Sequence, residues 1–152
     1  MAVAATLVPL LSLAGCGTFT VKPVAMSAAT QTACVRLVAA LPGTVSDQPR
    51  RPANDSSGTT AAWGDPAITL RCGVGRPSGF TATSQCQSTD GIDWYVPISA
   101  IEDQSADVEL TTVGRVPAVA VHLPASYRPP VAVMVDLTHA IKKHTKLLRR
   151  CR

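Results

Sequence analysis

The chain has 152 residues, with 14 Lys and Arg against 10 Asp and Glu, a formal charge of +4 and five cysteines. That length holds one compact domain with short extensions, not two of ordinary size. An apolar fraction of 46% with 16% charged residues excludes a disordered chain, and the lack of a second long apolar run excludes a multi-span membrane protein.

Residues 2–14 hold ten apolar positions of thirteen and end in Leu13-Ala14-Gly15-Cys16. A run of this length followed by small residues is a signal-peptide core, too short to span the roughly 30 Å of a bilayer interior as a helix. The ending has the form of a bacterial lipobox: small side chains let the chain lie extended in a peptidase, and the Cys16 thiol accepts a diacylglyceryl group. Acyl chains of the palmitate type then anchor the protein, each buried methylene contributing roughly 0.8 kcal/mol. The first basic residue is Lys22, beyond the lipobox, so the usual positive start is missing. A buried helix is the rival reading, but Pro9, Gly15 and Gly17 would interrupt it. The expected organisation is a signal peptide over 1–15, a lipidated tether over 16–28, one domain over 29–144 and a basic tail over 145–152. The expected location is the outer face of the cytoplasmic membrane, or release from the cell if the anchor is absent.

Within the domain, Cys34, Leu37, Val38 and Leu41 share one helical face, with Thr30 as N-cap and Pro42-Gly43 as stop. Residues 43–61 are rich in Gly, Pro, Ser, Asp and Asn without periodicity and read as a long surface loop. Ile68, Leu70 and Cys72 alternate with Thr69 and Arg71 as in a half-buried strand; Ile92, Trp94 and Val96 repeat the pattern after the turn Asp90-Gly91. Residues 108–113 and 116–123 flank Gly114-Arg115, which suits a two-residue hairpin turn, and Pro117 points to an edge or bulge there. Pro130 to about His144 reads as a second helix with Met134, Leu137 and Ile141 on one face. This order predicts an α+β fold: a mostly antiparallel sheet of about four strands, packed with an N-terminal and a C-terminal helix.

With Cys16 assigned to lipid, Cys34, Cys72, Cys86 and Cys151 remain. In an exported protein they form disulfides, and three connectivities are open. Cys34 and Cys72 lie on the buried faces of a helix and a strand that should pack together, which favours their pairing and leaves Cys86 with Cys151. Zinc is the rival, but no Cys-x-x-Cys spacing occurs. His139 and His144 are five apart and do not share a helical face, and His122 sits on the outward side of its strand. The glycines of Gly73-Val74-Gly75-Arg76-Pro77-Ser78-Gly79 lack the spacing of a dinucleotide loop, so this segment reads as a turn. Glu102, Asp103, Asp107 and Glu109 read as a solvated stretch and not a calcium loop. No cofactor or metal is expected.

Six of the 14 basic residues (Lys142, Lys143, Lys146, Arg149, Arg150 and Arg152) fall in the last eleven positions. Without them the chain carries eight basic against ten acidic residues, a formal charge of −2. The basicity belongs to one end, suited to a helix C-terminus or to an anionic envelope component. Nucleic acid is not an expected partner.

Ala33-Cys34 with Leu37–Pro42, Ala62-Trp63-Gly64-Asp65-Pro66, Leu70-Arg71-Cys72-Gly73, Gly91-Ile92-Asp93-Trp94 and Thr112-Val113-Gly114-Arg115, taken in order, resemble an actinobacterial domain-of-unknown-function family, number 3515. The resemblance covers roughly residues 30–140. It implies a small secreted or membrane-anchored protein with no assigned activity, and it places Cys34 and Cys72 in the shared core; Cys86 and the tail from Lys142 depart from the pattern. The expected function is therefore non-catalytic: a membrane-anchored domain that binds an envelope protein or other envelope component. Trp63, Asp65, Arg76, Asp93 and Arg115 form the candidate recognition surface, although both tryptophans also suit a core. The alternative is an envelope hydrolase using Asp93 or Asp65 with a histidine such as His122.

Overall fold

The computed structural model describes residues 24–151 with their side chains, and the backbone of residues 19 and 20. The signal segment, Cys16 with its expected lipid, and the rest of the tether before residue 24 lie outside the described residues.

In chain order the elements are β1 (Phe19–Thr20), α1 (Ala28–Ala39), β2 (Thr44–Val45), β3 (Gln48–Arg51), β4 (Ala53–Asn54), β5 (Thr60–Trp63), β6 (Ile68–Val74), β7 (Cys86–Thr89) and β8 (Ile92–Tyr95). There follow α2 (Ile98–Glu102), β9 (Val108–Thr112), β10 (Arg115–Val116), β11 (Ala118–Leu123), a 3-10 turn (Ala125–Tyr127), α3 (Val131–His144) and β12 (Lys146–Leu147). Eight strands form one sheet in the order β2-β3-β5-β6-β11-β9-β8-β7, every neighbouring pair antiparallel. Two small ladders stand apart, β1 parallel with β4 and β10 antiparallel with β12.

The four-strand expectation is thus too small, and the difference arises in two places. The segment read as a surface loop, 43–61, contains β2, β3, β4 and the first half of β5. Ser46 and Asp47 both take positive φ, 48° and 59°, as a two-residue primed hairpin turn requires, and they join β2 to β3. Burial of all four residues of Thr60-Ala61-Ala62-Trp63 hides the period of two by which a strand is recognised. At the other edge, Cys86–Thr89 is polar and carries no apolar alternation, yet it pairs with β8 across Asp90-Gly91. The proposed two-residue turn at Gly114-Arg115 is also corrected: β9 and β11 pair through Val108↔Leu123, and the connection between them is five residues long and contains β10. Pro117 precedes a register shift between Ala118 and Val119, where the ladder can tolerate its missing N–H.

One face of the sheet is apolar. Trp63, Ile68, Leu70, Cys72, Val119, Val121, Leu110 and Trp94 are buried there with Leu37, Met134, Leu137 and Ile141 of the helices. Helices α1 and α3 pack against each other over this face, α1 on β6 and α3 towards β2 and β7. Helix α1 is capped three residues earlier than expected, by Ser27 and not Thr30: the Thr30 N–H donates to Ser27 Oγ at 3.2 Å. The opposite face carries Thr69, Arg71, Thr111, Ala120 and His122; Arg71 and His122 are partly exposed there, whereas Thr69, Thr111 and Ala120 are buried.

Two disulfides staple the layers. Cys34–Cys72 joins α1 to β6 with both residues fully buried, and Cys86–Cys151 ties the chain end to β7. The last residues are consequently not a free basic tail. Lys146 and Leu147 pair as β12 with β10, and Cys151 carries the second bridge.

Candidate binding groove

Where β6 ends, the chain passes through Gly73-Val74-Gly75-Arg76-Pro77, the segment read as a turn, and forms one wall of a groove. A second wall is Ala25 to Ser27 with Thr30 at the start of α1. The β9–β11 connection with its flanking residues Thr112 and Ala118 lines it as well, together with Leu148 and Arg149 of the tail. The groove is open to solvent and has a volume of about 640 Å³, within the roughly 300–1,000 Å³ of small-molecule sites. A further hollow shares Arg76, Phe80, Val113, Leu148 and Arg149 and extends the groove past Arg150 to Cys151.

Close backbone approach makes this geometry feasible at two glycines. Gly73 has φ +82°, and a Cβ there would lie 2.7 Å from Met26 Cε, so glycine lets Met26 cross the end of β6. Gly114 has φ +72°, and a Cβ there would meet the Arg149 carbonyl oxygen at 2.0 Å. The Gly114 carbonyl accepts from the Leu148 N–H at 2.8 Å and the Arg149 N–H at 3.3 Å. The tail therefore lies directly on the Gly114 backbone.

Asp93 secures the rest of the tail. It is 4% exposed on β8 and accepts from Ser88 Oγ, from the Cys151 N–H at 3.0 Å and from Arg150 Nη1 at 3.4 Å. Burial raises the Asp93 pKa, but hydrogen bonds from Ser88 and Cys151 and the Arg150 charge outweigh it, holding the carboxyl below its ordinary value. Arg150 Nη1 also donates to the Gly91 carbonyl at 2.8 Å.

The groove is cationic at its polar points. Arg115 is 9% exposed; its Nε donates to Thr145 Oγ1 at 2.8 Å and its Nη2 to the Thr145 carbonyl at 3.3 Å. Burial, then repulsion by Arg150, lowers the Arg115 pKa, with Asp93 acting in the opposite sense. Arg115 has no carboxylate within 4.0 Å among the described residues. Arg76 stacks 5.0 Å from the centre of the Phe80 ring, which in turn meets Tyr95 edge-on at 5.3 Å. No acidic residue sits in the first turn of α1, so its positive end faces the groove uncompensated by its own helix.

Of the five recognition candidates, Arg76 and Arg115 line this groove, and Asp93 lies beneath its extension through Arg150 and Cys151. Trp63 is fully buried, its Nε1 donating to the Pro42 carbonyl at 3.1 Å, and Asp65 is an exposed turn residue 3.4 Å from Arg51. These two belong to other parts of the molecule. His122 Nε2 lies 3.3 Å from Asp107 Oδ2 on the partly solvated sheet face, with side chains 40% and 56% exposed. Neither residue lines the groove. Among the described residues no group of three or more His, Cys, Asp or Glu is placed to hold a metal, and no helix is long and apolar enough to cross a membrane.

Sequence reasoning did not identify Met26, Phe80, Leu148 or Arg149 as groove residues. Leu147-Leu148 between basic residues was the available signal, since an apolar pair in a solvated tail has little reason to be there. No curated protein and no solved structure matches the chain significantly. A model of a family described as protein of unknown function, DUF3515, matches residues 1–148, so the chain belongs to that family.

Proposed function

We propose that the protein is a non-catalytic binding domain held by a lipid at Cys16 on the outer face of the cytoplasmic membrane. The groove at the start of α1 is the observation that carries the binding role: it is ligand-sized, largely apolar and fringed by arginines. Two disulfides suit an oxidising compartment outside the cytoplasm. Because the groove wall begins at Ala25, only eight residues separate it from Cys16, and a lipid there would keep the groove close to the membrane surface.

The hydrolase alternative is less well supported. Asp93 is committed to Ser88, Arg150 and Cys151, and Asp65 is an exposed turn residue away from the groove. The His122–Asp107 pair lies away from the groove. Growth with radiolabelled palmitate tests the anchor: label should enter the wild-type protein and be absent from Cys16→Ser. Unlabelled wild type would refute the lipid attachment.

A further inference from the structure

Apolar side chains and cations both line the groove. Met26, Val74, Val113, Val116 and Leu148 supply an apolar trough, and Val116 and Leu148 are 50% and 61% exposed along it. Exposed large apolar residues that adjoin one another in a concave site mark a surface built to be covered. Arg76, Arg115 and Arg149 line the same groove, with Arg115 anchored to Thr145 through Nε and Nη2.

Arg115 indicates the sign of the ligand. A guanidinium that is 9% exposed has lost most of its hydration, and here Nε and Nη2 bond only to neutral oxygens of Thr145. The nearby carboxylate, Asp93, is already occupied by Arg150, Ser88 and the Cys151 N–H. Like charges gather here without an equal number of acids. Repulsion between Arg115 and Arg150 is part of what lowers the Arg115 pKa. The field left over is positive, and the N-terminal end of α1 adds to it.

Taken with the binding role proposed above, on which this step rests, we infer that the groove takes an anionic amphiphile: a single acyl chain along the Met26–Val116–Leu148 trough, with its carboxylate or phosphate head at Arg115, Arg149 and Arg76. An apolar chain alone would leave the cations unpaired, and a small anion alone would leave the trough open. Guanidinium groups suit either head because they donate in a planar fork to two oxygens at once.

The test uses the full chain and a fluorescent undecanoate bearing a dansyl group at the end of its chain, titrated beside its uncharged methyl ester. The free acid should bind at least about tenfold more tightly than the ester. The double variant Arg76→Gln/Arg149→Gln changes two exposed side chains and leaves Arg115 with Thr145, so folding is expected to be retained. It should abolish most of that preference. Unlabelled lysophosphatidate should displace the probe, and inorganic phosphate at equal concentration should not. Equal affinity for acid and ester, or a double variant that keeps the preference, overturns the anionic assignment while the binding role stands. Displacement by inorganic phosphate as effective as by lysophosphatidate overturns the acyl-chain assignment. If neither acid nor ester binds, both this inference and the groove as the protein's binding site fail.

Discussion

Replacing Gly114 by alanine should undo the docking of the chain end. Two separate penalties arise. An alanine at φ +72° costs about 1–2 kcal/mol for its left-handed backbone. Its Cβ would stand 2.0 Å from the Arg149 carbonyl oxygen, a backbone atom that cannot rotate away, so the tail must lift. Lifting breaks the bonds from the Leu148 and Arg149 N–H groups to the Gly114 carbonyl, at about 1 kcal/mol each. The sum is about 3–4 kcal/mol, equivalent to a fall in Tm on the order of 10 °C. Gly58→Ala is the control, because Gly58 has a similar φ of +66° but its nearest neighbour is Val35 Cγ2 at an ordinary 3.6 Å. It should lose only the backbone penalty. Gly114→Asn tolerates the positive φ better but still carries a Cβ, so it should release the tail as alanine does. Thermal unfolding gives the totals, and hydrogen exchange at the Leu148 and Arg149 amides reports the tail directly. If Gly114→Ala is no more damaging than Gly58→Ala and those amides stay protected, the tail does not rest on Gly114 as described.

Removing Cys34–Cys72 by double alanine substitution should be more severe. Opening a loop with a separation of 38 costs about 4 kcal/mol in the chain-entropy account, a loss of Tm on the order of 15 °C in thermal unfolding. Cys86→Ser/Cys151→Ser should instead expose amides 148–151 to exchange while leaving the core amides of β6 and β11 protected, because that bridge holds a chain end and not a layer. Asp55 accepts from the Ser57 and Thr59 N–H groups at 2.8 Å and from Thr60 Oγ1 at 2.9 Å, so Asp55→Ala should cost about 2–3 kcal/mol in denaturant unfolding. Burial raises the Asp55 pKa and hydrogen bonds from Ser57, Thr60 and Thr59 outweigh it; Asp93 is lowered likewise, with the causes given above. A folded pKa below the unfolded one gives stability that is complete above about pH 4 and is lost as pH falls through the folded value. Unfolding free energy should therefore decline below about pH 4, and Asp55→Asn/Asp93→Asn should flatten that decline.

Periodicity makes an element legible only where apolar and polar residues alternate along it. That holds for α1, α3, β6 and β8, whose apolar positions repeat at 3.6 or 2. Strand β5 is buried on both faces and so has no alternation to read, while β2 and β3 are short and made largely of polar residues and proline. Their existence depends on pairing, Thr44↔Pro49 and Arg50↔Trp63, and on an Asp136 carboxylate that accepts the Ser46 N–H at 2.8 Å from across the helix layer. Gly114 was visible as a turn residue, but its actual constraint comes from a segment 35 positions later in the chain. Arg76 and Arg115 were visible as polar residues in turns; their common groove was not, because it needs the ends of β6 and β9 brought together by β11.

The chain end illustrates how a charge total acquires a location. Six of 14 basic residues lie in the last eleven positions, which suggests a mobile cationic segment. Backbone bonds to Gly114, the Asp93 carboxylate and Cys86–Cys151 instead fix it against the sheet, so Arg149 and Arg150 become walls of the groove and its extension. A mobile tail would act on anions only through screened, non-specific attraction, which weakens beyond roughly 8 Å at physiological salt. A fixed tail holds its cations at set positions near Arg115, where a charge-assisted hydrogen bond is directional. Ligand preference should therefore depend on the clasp as well as on the arginines. Cys86→Ser/Cys151→Ser retains every cation and every groove arginine, yet it should lower the acid-over-ester preference towards that of Arg76→Gln/Arg149→Gln. Persistence of the full preference in the unbridged protein would mean that charge alone, and not its placement, selects the ligand.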